Sequence, residues 1–572
     1  MNRQLCFALI TIWIFAHESI NAAAAAPTDD QKWAEDEFAS VEDARAVEKQ
    51  LRNISDKVAP AVVRLSGDRN GVMLPQGSGV VIDALGLILT HGHHNQAVGS
   101  VLEATFPDGL VVDAVIESVF SGMVRDFSLL KIRKAGQYPS VPLRTEQLPG
   151  AGERCFHFGY PNTLREVTTL LTPVLRLGRV SGTGESSTYA NCLTVSGDSG
   201  GPLFDFEGRL IGIYHASIGP ELSHPGQWPD ISRILDGTSF LKDSHLDETR
   251  RMGFIDGKRK AIDTQRHLTN EHFPNLLAPA RRATVEILVD GQVTILGTIV
   301  DPNGLVLTKR SEIMTHRGTL FGNLTCRLFG GEEVSAKAVA DSHGDDVALL
   351  QLPKRGLTSA PLSAHIEPRR GAIVVAPIPG KDVSETGVVS VDRPLKIEPR
   401  PGSLTLPVEN LGAGVTVTNA VRDLDRDGFS KLIRGSVNGG DLITDIDGEA
   451  TPDLAAYGRQ SKKDTFIAGD FVQLFVRRNG DTLKVAFPAA AENAAFTLTR
   501  HSYADVSLRL TGFPAVIIHD TIVGRRQCGG PLIDLEGQVV GVNIARFHRC
   551  STFAIPQQRI KQLVQDLSNN RQ

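Results

Sequence analysis

Three short stretches of this 572-residue chain carry side chains capable of base, acid and nucleophilic chemistry. ILTHGHHNQ at 88–96 sets His91, His93 and His94 directly behind an apolar run. RDFSLLKI at 125–132 places Asp126 at the head of a strand-like segment, and GDSGGP at 197–202 centres on Ser199. A serine attacks only when a base takes its proton and N–H groups receive the developing oxyanion. The glycines around Ser199 permit a tight turn that exposes the hydroxyl. The N–H groups of Gly197 and Ser199 are then the natural oxyanion hole. The three histidines admit more than one reading: a base, a metal site or a polar turn.

Histidines at this spacing suit zinc, and THGHH resembles the start of the metallo-β-lactamase motif, His-x-His-x-Asp-His. Asn95-Gln96 stand where that motif needs Asp-His, so no metal or other cofactor is expected. The order His93, Asp126, Ser199 is instead that of the chymotrypsin-like template. On that template His93, in the frame Thr90-His91-Gly92-His93, takes the serine proton. Asp126 fixes its tautomer and stabilises the imidazolium. His91 and His94 are read as polar turn residues, with His94 the rival to His93.

Groups so far apart in sequence meet only if the elements between them fold back repeatedly. Fifty-five glycines and 30 prolines without low complexity fit many short strands joined by turns. The length suggests three or four domains. A net charge of −5 provides no basic surface for nucleic acid. Residues 1–26 resemble a signal peptide: Arg3, an apolar run from Leu5 to Ala16, then alanines from Ala22 to Ala26. Twelve apolar residues are too few to span a bilayer, and no later run is long enough. The expectation is export to the periplasm or the extracellular space, without stable membrane insertion. Cys155, Cys192, Cys326, Cys528 and Cys550 follow the leader, an odd number that leaves at least one thiol unpaired if all bonds are internal.

The chain repeats itself. GVVIDALGLILT (79–90) matches GTIVDPNGLVLT (297–308) at an offset of 218. RDFSLLKI matches DDVALLQL (345–352) at 220, and SGDSGGPLFDFEGRLIGI (196–213) matches RQCGGPLIDLEGQVVGV at 329. Three blocks in the same order indicate a duplication. The jump of 109 (329 − 220) marks an insertion in the second copy. Its segments GAGVTVTNAV, GGDLITDIDGEATPDLAAY and DFVQLFVRRNGDTLKVAF read as strands, a short helix and an Asn479-Gly480 hairpin. The expected boundaries are a helical segment at 27–47, a first copy at 48–244 and a linker at 245–280. A second copy at 281–404 and 489–572 is then interrupted by a module at 405–488.

VAPAVVRL, GSGVVID, GLILTHGH, DFSLLKI and GDSGGPLFDFEGRLIGI together resemble the HtrA (Deg) type of trypsin-like serine protease. The resemblance implies an all-β fold of two chymotrypsin-like double β-barrel domains in tandem, with a small α+β domain inserted. It also implies a serine endopeptidase acting on misfolded or damaged envelope proteins, with oligomers within its range. The insert resembles a PDZ domain, which would bind a peptide by β-augmentation beside a loop near Leu411 and Gly412. In the second copy Ser311 stands at the base position, Asp346 at the acid and Cys528 at the nucleophile, so that site reads as degenerate. A disulfide from Cys528 to Cys550 would occupy the thiol. No acidic residue lies among 189–195, expected to line the specificity pocket, which points to a small or aliphatic residue before the scissile bond. The alternative is a non-catalytic, protein-binding or chaperone-like chain in which even the first site is idle.

Overall fold

The computed structural model describes residues 37–569 apart from 70–71, 95, 121–125, 169–170, 184–187, 219–221, 226–265, 363–367, 412–413, 420–436 and 492–505. The expected signal peptide, most of the linker and Gly412 lie outside the described residues. No helix among the described residues is long and apolar enough to cross a membrane.

The first element among the described residues is helix α1 (Val41–Val58). It begins where Ser40 accepts the Asp43 N–H, and it buries Ala44, Val47, Leu51, Ile54 and Val58 along one face. It runs past residue 47 into the expected first copy.

Strands β1 (Val62–Arg69), β2 (Val72–Val81), β3 (Leu87–Thr90), β4 (Val101–Thr105), β5 (Val111–Phe120) and β6 (Phe127–Ile132) close a barrel in the order β1-β2-β3-β6-β5-β4. Along β5 buried and exposed residues alternate, the period-two signature of a barrel wall. Thr90 pairs with Ser128 across β3 and β6. The residues after Thr90 and those before Ser128 therefore emerge at one rim. Register, not proximity in sequence, brings His93 to Asp126.

A second closed barrel follows: β7 (Arg154–Gly159), β8 (Val174–Thr183), β9 (Thr188–Ala190), β10 (Pro202–Asp205), β11 (Leu210–Ile218) and β12 (Leu222–Pro225). The Ser199 turn connects β9 to β10. A third closed barrel, from Thr284–Val289 to Val347–Gln351, repeats the strand order of the first. In place of a fourth barrel there is an eight-stranded sheet, which His267–Thr269 joins at one edge through Val383–Val388. The end of the expected linker is therefore a strand, followed by the helix Pro274–Arg282.

Gly402–Ser403 pairs with Ala490–Ala491 and closes the neck of the insert. Within it, five strands lie side by side from Val408–Asn410 to Asp481–Pro488, with Glu449–Ala450 paired to Leu442–Ile446. The helix Leu454–Gln460 starts at Asp453, which accepts the Ala456 N–H. Asn479 and Gly480 both have positive φ (51° and 93°), as a two-residue hairpin turn requires.

Candidate active site

Gly92 and His93 converge on Asp126 from the end of β3. The Gly92 N–H donates to Asp126 Oδ1 (3.0 Å), and His93 Nδ1 lies 2.5 Å from Oδ2. A Cβ on Gly92 would stand 2.0 Å from the Phe120 carbonyl oxygen, so glycine is what lets this turn close. The Asp126 side chain is buried, whereas the His93 ring is 45% exposed and open to a reactant. Burial pushes the Asp126 carboxyl up, but the His93 hydrogen bond and the charges of His93, His215 and His91 hold it below its usual value.

His91 and His94, expected to be polar turn residues, are both buried. The His94 ring bridges Ser128 Oγ (2.8 Å) and the Gln96 N–H (3.1 Å), and burial pushes its pKa down. The His91 ring packs on His93 with centroids 4.0 Å apart. His215, on β11, brings Nδ1 to 3.6 Å from Asp126 Oδ2, a neighbour that the sequence motifs did not flag.

The nucleophile turn is anchored by Ser78 on β2. The Ser78 N–H donates to the Ser199 carbonyl (2.8 Å), its Oγ donates to the Gly197 carbonyl (2.8 Å), and that Oγ accepts the Tyr160 N–H (2.9 Å). Gly197 and Gly200 have φ of 97° and 81°, which side-chain-bearing residues rarely adopt. The N–H groups of Asp198, Gly200 and Gly201 donate to the carbonyls of Val195, Tyr214 and Asp198. Those of Gly197 and Ser199 donate to no backbone carbonyl among the described residues. His93 and Ser199 share no hydrogen bond in this structure; such contacts are often long without substrate.

Asp198 turns away from the cleft and pairs with Arg176 on β8 at 2.7 Å, with side chains 0% and 1% exposed. Burial raises the Asp198 carboxyl and the Arg176 charge opposes it. Sequence reading missed this pair, because nothing in local spacing ties residue 176 to residue 198.

The expected second copy has the same backbone contacts at its matching positions, with different side chains. Thr308 Oγ1 donates to the Leu296 carbonyl (2.7 Å), as Thr90 Oγ1 does to that of Ser78 (2.6 Å). The Leu296 N–H donates to the Cys528 carbonyl (3.1 Å), as the Ser78 N–H does to that of Ser199. Ser311 Oγ donates to Asp346 Oδ2 (2.9 Å), but Lys309 Nζ also holds that oxygen at 2.6 Å. Cys528 is fully buried, and burial pushes its thiol up to about 11.

The expected Cys528–Cys550 disulfide is absent: both are free thiols. Cys528 Sγ faces Ser507 Oγ (3.8 Å) in the core of the third barrel, whereas Cys550 Sγ faces His548 Nδ1 (3.4 Å). The two thiols thus point into different surroundings. His519, a conceivable base for Cys528, is held 2.9 Å from Asn543 Oδ1 instead. Leu411, near the expected peptide-binding loop, is exposed, and its N–H donates to the Gly414 carbonyl (3.3 Å).

The profile of the trypsin-like peptidase domain matches residues 77–213. Serine endoprotease DegS of Salmonella typhimurium is 30% identical over 157 residues, 27% of this chain and 42% of that protein. Serine protease HTRA1 of Xenopus laevis is 27% identical over 293 residues, 46% of this chain and 60% of that protein. Serine protease HTRA3 of Homo sapiens is 25% identical over 295 residues, 46% of this chain and 62% of that protein. The chain thus spans about four to six tenths of the length of these relatives. With its paired closed barrels and a Ser199 turn between β9 and β10, this chain carries a trypsin-like peptidase domain, and over that part it is similar to serine proteases of the HtrA type.

Proposed function

We propose that this chain is an exported serine endopeptidase with Ser199 as nucleophile, His93 as general base and Asp126 as its orienting carboxylate. The observation that carries the reading is the contact between His93 Nδ1 and the buried Asp126 at 2.5 Å, with the other ring nitrogen left for the serine. As Ser199 Oγ attacks the scissile carbonyl carbon, its proton passes to His93 Nε2. Asp126 holds the Nδ1 proton and stabilises the imidazolium. The carbonyl oxygen becomes an oxyanion and takes hydrogen bonds from the Gly197 and Ser199 N–H groups. His93 then gives its proton to the departing amine, which leaves an acyl-enzyme. A water that His93 deprotonates opens the acyl-enzyme by the same steps.

Protein chains are the proposed substrates, and quality control of envelope proteins is the proposed setting. The second copy is proposed to be chemically inert. A buried thiol with a raised pKa is a poor nucleophile, and Asp346 is occupied by Lys309 and Ser311. The insert is proposed as a PDZ-like module that takes a peptide near Leu411. Cleavage-site mapping on a denatured protein tests both activity and specificity. Cuts after small or aliphatic residues, lost in Ser199→Ala, support the reading; identical cuts by Ser199→Ala would assign them to another site.

A further inference from the structure

Strand β8 stands behind the nucleophile turn, and residues from outside the trypsin-like stretch grip its backbone. The side chain of Arg176 holds Asp198, the neighbour of Ser199. The next residue, Leu177, is bonded at both backbone groups: its N–H donates to Asp520 Oδ2 (2.9 Å), and its carbonyl accepts from Arg266 Nη1 (2.7 Å). Asp520 and Arg266 are ion-paired at 2.8 Å, and both are buried. Asp520 Oδ1 also accepts the Val388 N–H (2.7 Å), which ties the grip into the eight-stranded sheet of the second copy. Two residues back along β8, the Leu175 N–H donates to the Ser390 carbonyl (3.0 Å). A small cavity of about 10 Å³ lies at this junction, lined by Arg176, Asn191 and Leu193 from the first copy, by Arg266, and by Asp520, Ile522 and Cys550 from the second.

We infer that the degenerate copy is a positioning element for the Ser199 turn, acting through Asp520 and Arg266 on β8. Asp520 and Arg266 fix the Leu177 backbone, and this fixes the origin of the Arg176 side chain. Arg176 in turn fixes Asp198 and the two N–H groups on either side of it. Hydrogen bonds weaken steeply with distance and angle. A shift of β8 therefore reaches the oxyanion donors, since every intermediate group is buried and joined to the next by a hydrogen bond, an ion pair or the backbone. The inference rests on Ser199 being the nucleophile, and it gives the chemically inert copy a task in the reaction.

The test uses the full chain with Asp520→Asn and, separately, Arg266→Gln. Four quantities are read: the rate at which a fluorophosphonate labels Ser199, kcat and KM on a peptide, thermal unfolding, and amide exchange over 193–200. In variants that stay folded, labelling and kcat should fall between about ten- and a hundredfold, the cost of a misplaced reacting group. KM should change little, and exchange over 193–200 should quicken while that of β1–β6 does not. Labelling within twofold of the parent, with exchange over 193–200 unchanged, would overturn the inference. If the parent itself is not labelled, the endopeptidase reading fails, and the exchange comparison still decides whether the second copy holds the turn. If Asp520→Asn does not fold, Arg266→Gln carries the same measurements.

Discussion

Replacing Arg176 with Met should leave Asp198 as a buried carboxylate without its cation. Asp198 Oδ2 would keep only the Val195 N–H (2.8 Å), and Oδ1 has no hydrogen-bond partner among the described residues. Gly159 leaves Oδ1 its room: a Cβ there would stand 2.3 Å away. Removing one member of a buried pair costs about 3–5 kcal/mol, mostly the desolvation of the charge left behind. The sign of the pH dependence follows. A carboxyl whose folded pKa is raised binds a proton more tightly in the folded state, so the deficit is largest well above that pKa. It should shrink as the pH falls towards the unfolded value of about 3.9. Urea unfolding at pH 8 and pH 5 measures both effects. Arg176→Met should be markedly less stable at pH 8 and closer to the parent at pH 5. The double variant Arg176→Met/Asp198→Asn should be more stable than either single change, with a coupling of at least about 2 kcal/mol. A single variant within about 0.5 kcal/mol of the parent at pH 8, with additive singles, would refute the buried-charge reasoning.

Other outcomes follow from the same structure. Cys528→Ala should leave peptide cleavage intact and cost about 1 kcal/mol in unfolding free energy; loss of catalysis in a folded variant would return Cys528 to the chemistry. Burial pushes His519 down to about 3, so the unfolded chain protonates first and stability should fall from about pH 6.5 towards pH 3, by up to about 1.4 kcal/mol per pH unit. His519→Gln should flatten that acid limb, and unchanged slopes would argue against a neutral buried imidazole. Cys155 and Cys192 lie with their sulfurs 3.9 Å apart, above Gly178, where a Cβ would stand 2.5 Å from Cys192 Sγ. Refolding the reduced, unfolded chain in a glutathione redox buffer, where both thiols start accessible, should join them by thiol–disulfide exchange, giving one cross-linked peptide pair in an unreduced digest; two free thiols after that treatment would contradict it.

The barrels and the groups at their rims were legible through the motifs, their order and the resemblance they carry, whereas the register that pairs Thr90 with Ser128 came from the structure. The matching blocks pointed to the stretch where the third barrel repeats the strand order of the first. What stayed hidden was long-range and buried. No local pattern couples Arg176 to Asp198, Ser78 to the Gly197 carbonyl, or Asp520 to Leu177, since each contact joins different strands or different copies. His91 and His94 looked polar in sequence, but the His91 ring packs on His93 and a Ser128 hydrogen bond holds His94 inside. The cysteine pairing was misplaced because the turn holding Cys528 faces the third-barrel core, whereas Cys550 turns towards Arg176.

The central claim is that Ser199 is a nucleophile activated by His93. Treating the full chain with a fluorophosphonate and mapping the adduct tests it most directly. The account predicts one adduct, on Ser199, lost in Ser199→Ala, sharply slowed in His93→Ala and retained in Cys528→Ala. Failure of the folded parent to label, or an adduct on any residue other than Ser199, would contradict it.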